Sequence, residues 1–187
     1  MHIIGVVGEK GSGKGTFSKL LQSYLKGRET VVVRTVDVLY DTLKIWHIEP
    51  TRSNLQNLAI IMDAQYGKGT LSRAVEARIR RIKADIVVLE GVRWQSDVQM
   101  LRSFERNVLV YVTADARVRW ERTRARGEKT DESEATWEKF VREEKAGTEV
   151  DIASIGAEAD TRLENNGSLE DFERGVEEFV GSLKVYN

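Results

Sequence analysis

Ile3-Ile4-Gly5-Val6-Val7-Gly8-Glu9-Lys10-Gly11-Ser12-Gly13-Lys14-Gly15-Thr16 is the stretch that decides the fold of this chain. Its first five residues are an apolar run that predicts a buried strand, and Phe17, Leu20, Leu21, Tyr24 and Leu25 follow at helical spacing. A glycine-rich turn between a strand and a helix is the setting in which G-x-x-x-x-G-K forms a phosphate cradle. Glycines let the backbone curl closely, so successive N–H groups point inward beside a helix N-terminus of partial positive charge. Gly8, Gly11, Ser12, Gly13, Lys14, Gly15 and Thr16 are therefore the expected phosphate-binding residues. Lys14 would reach the β- and γ-phosphates of a nucleotide as a mobile point charge. The competing reading, a βα turn that binds nothing, leaves a lysine at this offset without a purpose. Lys14 is followed by Gly15 and only then by a hydroxyl, so Thr16 is the residue expected near a magnesium ion.

Composition narrows the class. With 187 residues the chain can build one α/β domain, assigned here as residues 1–187, that buries about 70% of its unfolded surface. Apolar residues make up 41% and charged residues 32%, which suits a globular protein with solvated helices. A net charge of −1 gives no overall electrostatic footprint for nucleic acid, so no nucleic-acid partner is expected. No cysteine occurs, which excludes disulfides, thiolate zinc sites and cysteine nucleophiles. His2 and His47 are too few and too far apart to suggest a metal centre. No apolar run approaches the ~20 residues of a membrane helix, and the first residues enter a strand at once. A cytoplasmic protein without membrane association is the expectation.

Helix and strand signals alternate, as in a parallel sheet covered on both faces. Strands are expected at 30–33, 85–89, 107–113 and, more weakly, 160–164. Ser53 to Gln56 and Ser96 to Gln99 fit the capping-box pattern, and Ser168 to Asp171 approximates it. Residues 38–83 are too long for one crossover helix and read as an acceptor-binding insertion. Residues 114–147, dense in Arg, Glu and Lys, read as a lid region that would exclude water.

Phosphoryl transfer relies on positioning and charge stabilisation, so arginines and carboxylates near the loop are the candidates. Arg119, Arg122 and Arg126 recur at helical spacing; they either share a face towards a γ-phosphate or belong to a salt-bridged surface helix. Glu90-Gly91-Val92-Arg93 ends the third strand, where parallel sheets bind ligands. Glu90 could hold magnesium through water and Arg93 could grip an acceptor phosphate with both guanidinium nitrogens. Asp37 follows the second strand and is a base, a ligand or the N-cap of the next helix. A GTPase would carry D-x-x-G and N-K-x-D, and neither is present. Arg73, Arg78, Arg80, Arg81 and Lys83 crowd one helix without interleaved aromatic residues and read as a solvated face.

Gly11-Ser12-Gly13-Lys14-Gly15-Thr16 resembles the Walker A loop of adenylate kinases, and Glu90-Gly91-Val92-Arg93 is similar to their Asp-Gly-Phe-Pro-Arg segment, one residue shorter. Ala159 to Asp171 resembles the last strand and turn of dephospho-CoA kinases and phage-type deoxynucleoside monophosphate kinases; the acceptor-region His-Pro pair of the former is missing. The resemblance to this nucleotide-kinase branch implies a P-loop NTPase α/β/α fold with a five-stranded parallel sheet in the order 2-3-1-4-5. It also implies ATP and Mg2+ as cofactors, with Asn166 and Gly167 beside the adenine. The implied activity is γ-phosphoryl transfer to a nucleoside monophosphate or related nucleotide, a small-molecule acceptor. The alternative is a dephospho-CoA kinase, in which Asp37 would deprotonate a ribose hydroxyl. A different class, a nucleotide-sensing module or partner-coupled ATPase, would not need the arginine cluster. Monomer and homodimer are both compatible with the sequence.

Overall fold

The computed structural model describes residues 1–126, 136–144 and 149–183, with Arg52 described by its backbone. Of the expected lid region, 127–135 and 145–147 lie outside the described residues. Strand β1 (His2–Val7) is buried from Ile3 onward because both of its faces are apolar, and it takes the centre of the sheet. It pairs in parallel with β3 (Ile86–Val92) on one side and β4 (Asn107–Thr113) on the other. β2 (Thr30–Arg34) flanks β3 and β5 (Thr161–Glu164) flanks β4, giving five strands in the order β2-β3-β1-β4-β5. This is the order that the resemblance implies.

Alternation along the strands divides the interior into two cores. Ile4, Val6, Ile86, Val88, Val110 and Val112 face α1 (Lys14–Tyr24) and α9 (Leu169–Ser182). Phe17 of α1, fully buried, packs against Phe179 of α9 with ring centroids 5.7 Å apart. Ile3, Val7, Val87, Leu89 and Leu109 face the opposite layer. That layer includes α2 (Asp37–Ile45), α3 (Arg52–Tyr66), α4 (Thr70–Ile79), α5 (Gln95–Arg102) and α8 (Ile152–Ala157). α6 (Ala116–Arg126) and α7 (Trp137–Glu144) complete the described helices. Trp137 meets Trp120 edge-on and stacks on Phe140, and Arg117 lies over both tryptophans, so the two helices are joined by aromatic and cation–π contacts.

Helix starts differ from the sequence expectation in two places. α3 begins earlier, with Thr51 as N-cap accepting from the Asn54 N–H, so Ser53 and Gln56 form no capping box. α5 begins at Gln95 because the Asp97 carboxylate reaches back to the N–H groups of Arg93 and Trp94, displacing Ser96 from the cap. At α9 the expected Ser168–Asp171 pair does cap the helix reciprocally. β3 continues to Val92, beyond the expected end at Leu89; its register with β1 shifts between Val6 and Val7, where Gly91 takes a φ of 87°. No helix among the described residues is long and apolar enough to cross a membrane.

Truncating Phe17 to Ala is expected to cost about 3–5 kcal/mol in urea unfolding, while Ile61→Ala, 60% exposed, stays within about 0.5 kcal/mol. Equal effects of the two would contradict the assignment of this core.

Candidate functional site

The loop from Gly8 to Gly13 leaves the carboxyl end of β1 and opens α1. It is packed so tightly at its glycines that a side chain there has no room: a Cβ on Gly8 would lie 2.1 Å from the Val112 carbonyl oxygen, and one on Gly13 2.3 Å from Asn165 Nδ2. Gly13, with φ of 106°, is the N-cap of α1 and supplies no side-chain cap, so the first N–H groups of the helix keep their capacity for an anion. The Ser12 hydroxyl is fully buried and has no hydrogen-bond partner among the described residues. The loop is pinned to β4 by Glu9, whose carboxylate accepts from the Tyr111 hydroxyl and from Thr113 Oγ1.

Lys14 Nζ donates to the carbonyls of Gly8 at 2.7 Å and Glu9 at 2.8 Å. Burial draws its pKa from 10.5 down to about 8; the Arg93 guanidinium pushes the same way, and Glu149, Glu9 and Glu90 oppose it. An ammonium held back on loop carbonyls, an orphaned hydroxyl and an uncapped helix together fit a polyphosphate. The residues of the loop thus fit the phosphates of a nucleotide.

Behind the loop, Asn165 is buried and its Nδ2 donates to the Ser12 carbonyl at 2.9 Å. Asn166 accepts from the Asp115 N–H at 2.7 Å, and Arg122 donates to the carbonyls of Asn165 and Gly167. Arg119, 6% exposed, donates to the carbonyls of Ala114 and Lys10 and pairs with Glu144. The three expected lid arginines therefore do not act as one cluster. Arg119 braces the loop from behind, Arg122 braces the 165–167 turn, and only Arg126 lines the cavity described next. Spacing had placed their Cα atoms on one face, but buried carbonyls and Glu144 take up the guanidinium groups of Arg119 and Arg122.

A cavity of about 480 Å³ opens beside Gly11 and Lys14, and Arg93, Arg126 and Glu149 line it too. Leu39, Leu55, Ala59, Leu71 and Trp94 give it an apolar wall, beside which stand the polar side chains of Thr35, Tyr40, Gln56 and Asp97. Arg93 pairs with Glu149. The turn that presents Arg93 and Trp94 is fixed by Asp97, 1% exposed, which accepts from both N–H groups and from Ser72 Oγ at 2.6 Å. Burial raises the pKa of Asp97, and those hydrogen bonds restrain the rise. The sequence reading missed Asn165 and the anchoring role of Asp97, although an aspartate four residues after Arg93 was the visible signal for the latter.

Other expected residues lie off the cavity lining. Asp37 is the first residue of α2, not its N-cap, which is Val36; its carboxylate accepts from Arg34 N and Nε and forms an ion pair with that side chain. Glu90 is half-buried in β3, in register with Val6 and Arg34. Thr16 is exposed in the first turn of α1.

The buried ammonium has a consequence for stability. With its folded pKa lowered to about 8, Lys14 holds fewer protons than in the unfolded chain between about 8 and 10.5. Its penalty is full below pH 8 and fades as pH rises through that window. Relative to the parent, Lys14→Met is therefore expected to be most stable at pH 7 and progressively less so towards pH 10, since it lifts this penalty while leaving the Gly8 and Glu9 carbonyls without their donor. Urea unfolding of both proteins across that range checks it, and a stability difference that does not move with pH would refute it.

A model of the AAA domain family matches residues 4–146. The chain is 31% identical to a UPF0200 protein of Hyperthermus butylicus over 97% of its own length and 94% of that protein's. It is 28% identical to a UPF0200 protein of Pyrococcus horikoshii, covering 97% of each. Among solved structures it is similar in fold to shikimate kinase from Acinetobacter baumannii in complex with shikimate, with a TM-score of 0.58, 17% identity and coverage of 98% and 95%. A Thermus thermophilus protein gives a TM-score of 0.57 at 22% identity, with 98% of both chains covered. The sheet order, the phosphate loop and these matches agree, and the chain belongs to the AAA domain family, as a P-loop protein of kinase-like fold related to the UPF0200 proteins.

Proposed function

We propose that the protein is a phosphotransferase that moves the γ-phosphoryl group of ATP to a nucleoside monophosphate or a closely related nucleotide. One observation carries this reading: a single cavity is lined by the loop lysine Lys14, by Arg93 and Arg126, and by an apolar wall suited to an organic acceptor. In the transfer, an oxygen of the acceptor phosphate bonds to the γ-phosphorus as the bond to the ADP oxygen breaks. Lys14 leaves the loop carbonyls for the phosphates. Arg93 leaves Glu149 to hold the acceptor phosphate, and Arg126 adds charge from the end of α6. Asn166 and Gly167 border the adenine in this reading, with Arg122 holding their turn. Thr16 and Glu90 are the residues that would hold magnesium, at the loop and at the carboxyl-end half of β3. When bound, magnesium would offset the negative charge of the phosphates during transfer.

The carboxylates favour a phosphate acceptor over a hydroxyl one. A phosphate is already ionised near neutral pH, whereas an alcohol needs a base. Asp37 is engaged by Arg34, and Asp97 by three donors. This argues against the dephospho-CoA kinase alternative, which needs Asp37 as a base.

The test is ADP release with Mg-ATP against ribo- and deoxynucleoside monophosphates, dephospho-CoA and a control without acceptor. At least one monophosphate should support turnover, and Lys14→Ala should lower it at least about a thousandfold. Arg93→Ala should raise the acceptor KM at least about tenfold with the KM for ATP little changed. Asp37→Asn should keep turnover within a few-fold. Turnover confined to dephospho-CoA and lost in Asp37→Asn would favour the hydroxyl acceptor. ATP hydrolysis that needs only a protein partner would favour the coupled ATPase.

A further inference from the structure

The apolar wall of the cavity contains a polar group whose position the sequence pattern misassigns. Gln56 stands three residues after Ser53, where a capping box would turn its amide back to the helix start. Because α3 instead begins at Arg52 behind the Thr51 cap, Gln56 falls in the second turn and has no capping role. Its amide has no hydrogen-bond partner among the described residues, and it lines the cavity with its helix neighbours Leu55 and Ala59. Leu39 and Leu71 contribute further apolar wall, and Trp94 an aromatic one.

We infer that Gln56 reads the base of the acceptor nucleotide, whose ring lies in the apolar part of this cavity. The inference rests on the proposed nucleotide acceptor and adds which residue selects it. A ligand that fills the cavity expels water, and an amide left without partners in apolar surroundings is costly. The occupant must therefore bring one donor and one acceptor to Gln56 while offering flat apolar faces to Trp94 and the aliphatic walls. A nucleobase does both: its faces stack and its edge carries adjacent donors and acceptors. A small polyhydroxylated acid would find polar partners in Thr35, Tyr40 and Asp97 but would leave Leu39, Leu55, Ala59 and Leu71 without apolar cover, which a base supplies. Arg93, held in the same cavity by the Asp97-anchored turn, is the complement to the phosphate of such a ligand.

The experiment is titration calorimetry of the full chain with the four common ribonucleoside monophosphates, and with ribose 5-phosphate as the ligand without a base. The parent protein should bind its preferred nucleotide at least about tenfold more tightly than ribose 5-phosphate. Gln56→Leu, of similar volume, should lose about ten- to a hundredfold for that nucleotide and leave ribose 5-phosphate within about twofold, with unchanged thermal unfolding. Gln56→Glu, whose carboxylate only accepts, should shift the guanine-to-adenine ratio at least about tenfold towards guanine, whose edge presents two adjacent donors. Ribose 5-phosphate binding as tightly as every nucleotide, or a base ranking unchanged in both variants, would overturn the inference. Base-selective binding that depends on Gln56 without phosphoryl transfer would support it and sink the kinase reading. Transfer with a ranking independent of Gln56 would sink the inference alone.

Discussion

The close contact between the phosphate loop and the carboxyl-terminal segments is the constraint on which the rest of the site depends. The Val112 carbonyl stands where a Cβ on Gly8 would be, the Arg119 carbonyl lies 2.6 Å from a Cβ built on Gly11, and Asn165 presses on Gly13. Glycine is thus a packing requirement at all three positions, and at Gly11 and Gly13, with φ of 79° and 106°, a conformational one as well. Asn165 also donates to Ser12, a contact spanning 153 residues, and so couples the first loop of the chain to the turn after its last strand. Through this contact the turn after β5 and the start of α6 are held in fixed relation to the nucleotide-facing loop. Arg119 and Arg122 serve the same purpose from α6, each satisfying backbone carbonyls that would otherwise be buried without donors.

Charge is balanced locally around the loop. Lys10 pairs with Glu143, Arg119 with Glu144 and Arg93 with Glu149, so a short acidic stretch supplies a carboxylate to each of three cations near the phosphate loop. Lys14 differs: it is held by carbonyl dipoles, with its charge disfavoured by burial and by Arg93. A polyphosphate arriving at the loop would relieve this disfavoured ammonium, which makes Lys14 the natural centre of recognition. The near-neutral net charge of the chain is consistent with such pairing.

Legibility from sequence followed the range of each interaction. Strand, loop and first helix were readable because apolar periodicity and glycine spacing are local, and the reciprocal Ser168–Asp171 cap is contained within four residues. The fold family was legible for the same reason. The contacts that shape the site are long-range. No local pattern predicts that Asn165 will reach Ser12. Nor does helical spacing tell where a long guanidinium will end, so Arg119 and Arg122 were correctly placed on α6 but assigned to the wrong surroundings. Gln56 was misread because two overlapping cap signals, Thr51 and Ser53, compete, and the structure resolves them in favour of the earlier one. Asp37 was rightly put at the sheet edge, yet Arg34, three residues earlier, takes its carboxylate.

The most direct test of the central claim is phosphorus NMR of the protein with Mg-ATP and a mixture of nucleoside monophosphates. The account predicts loss of the ATP γ-resonance with growth of ADP and of a second diphosphate whose new phosphoanhydride derives from the acceptor. Growth of inorganic phosphate alone, or of a phosphate ester on an acceptor hydroxyl, would contradict it.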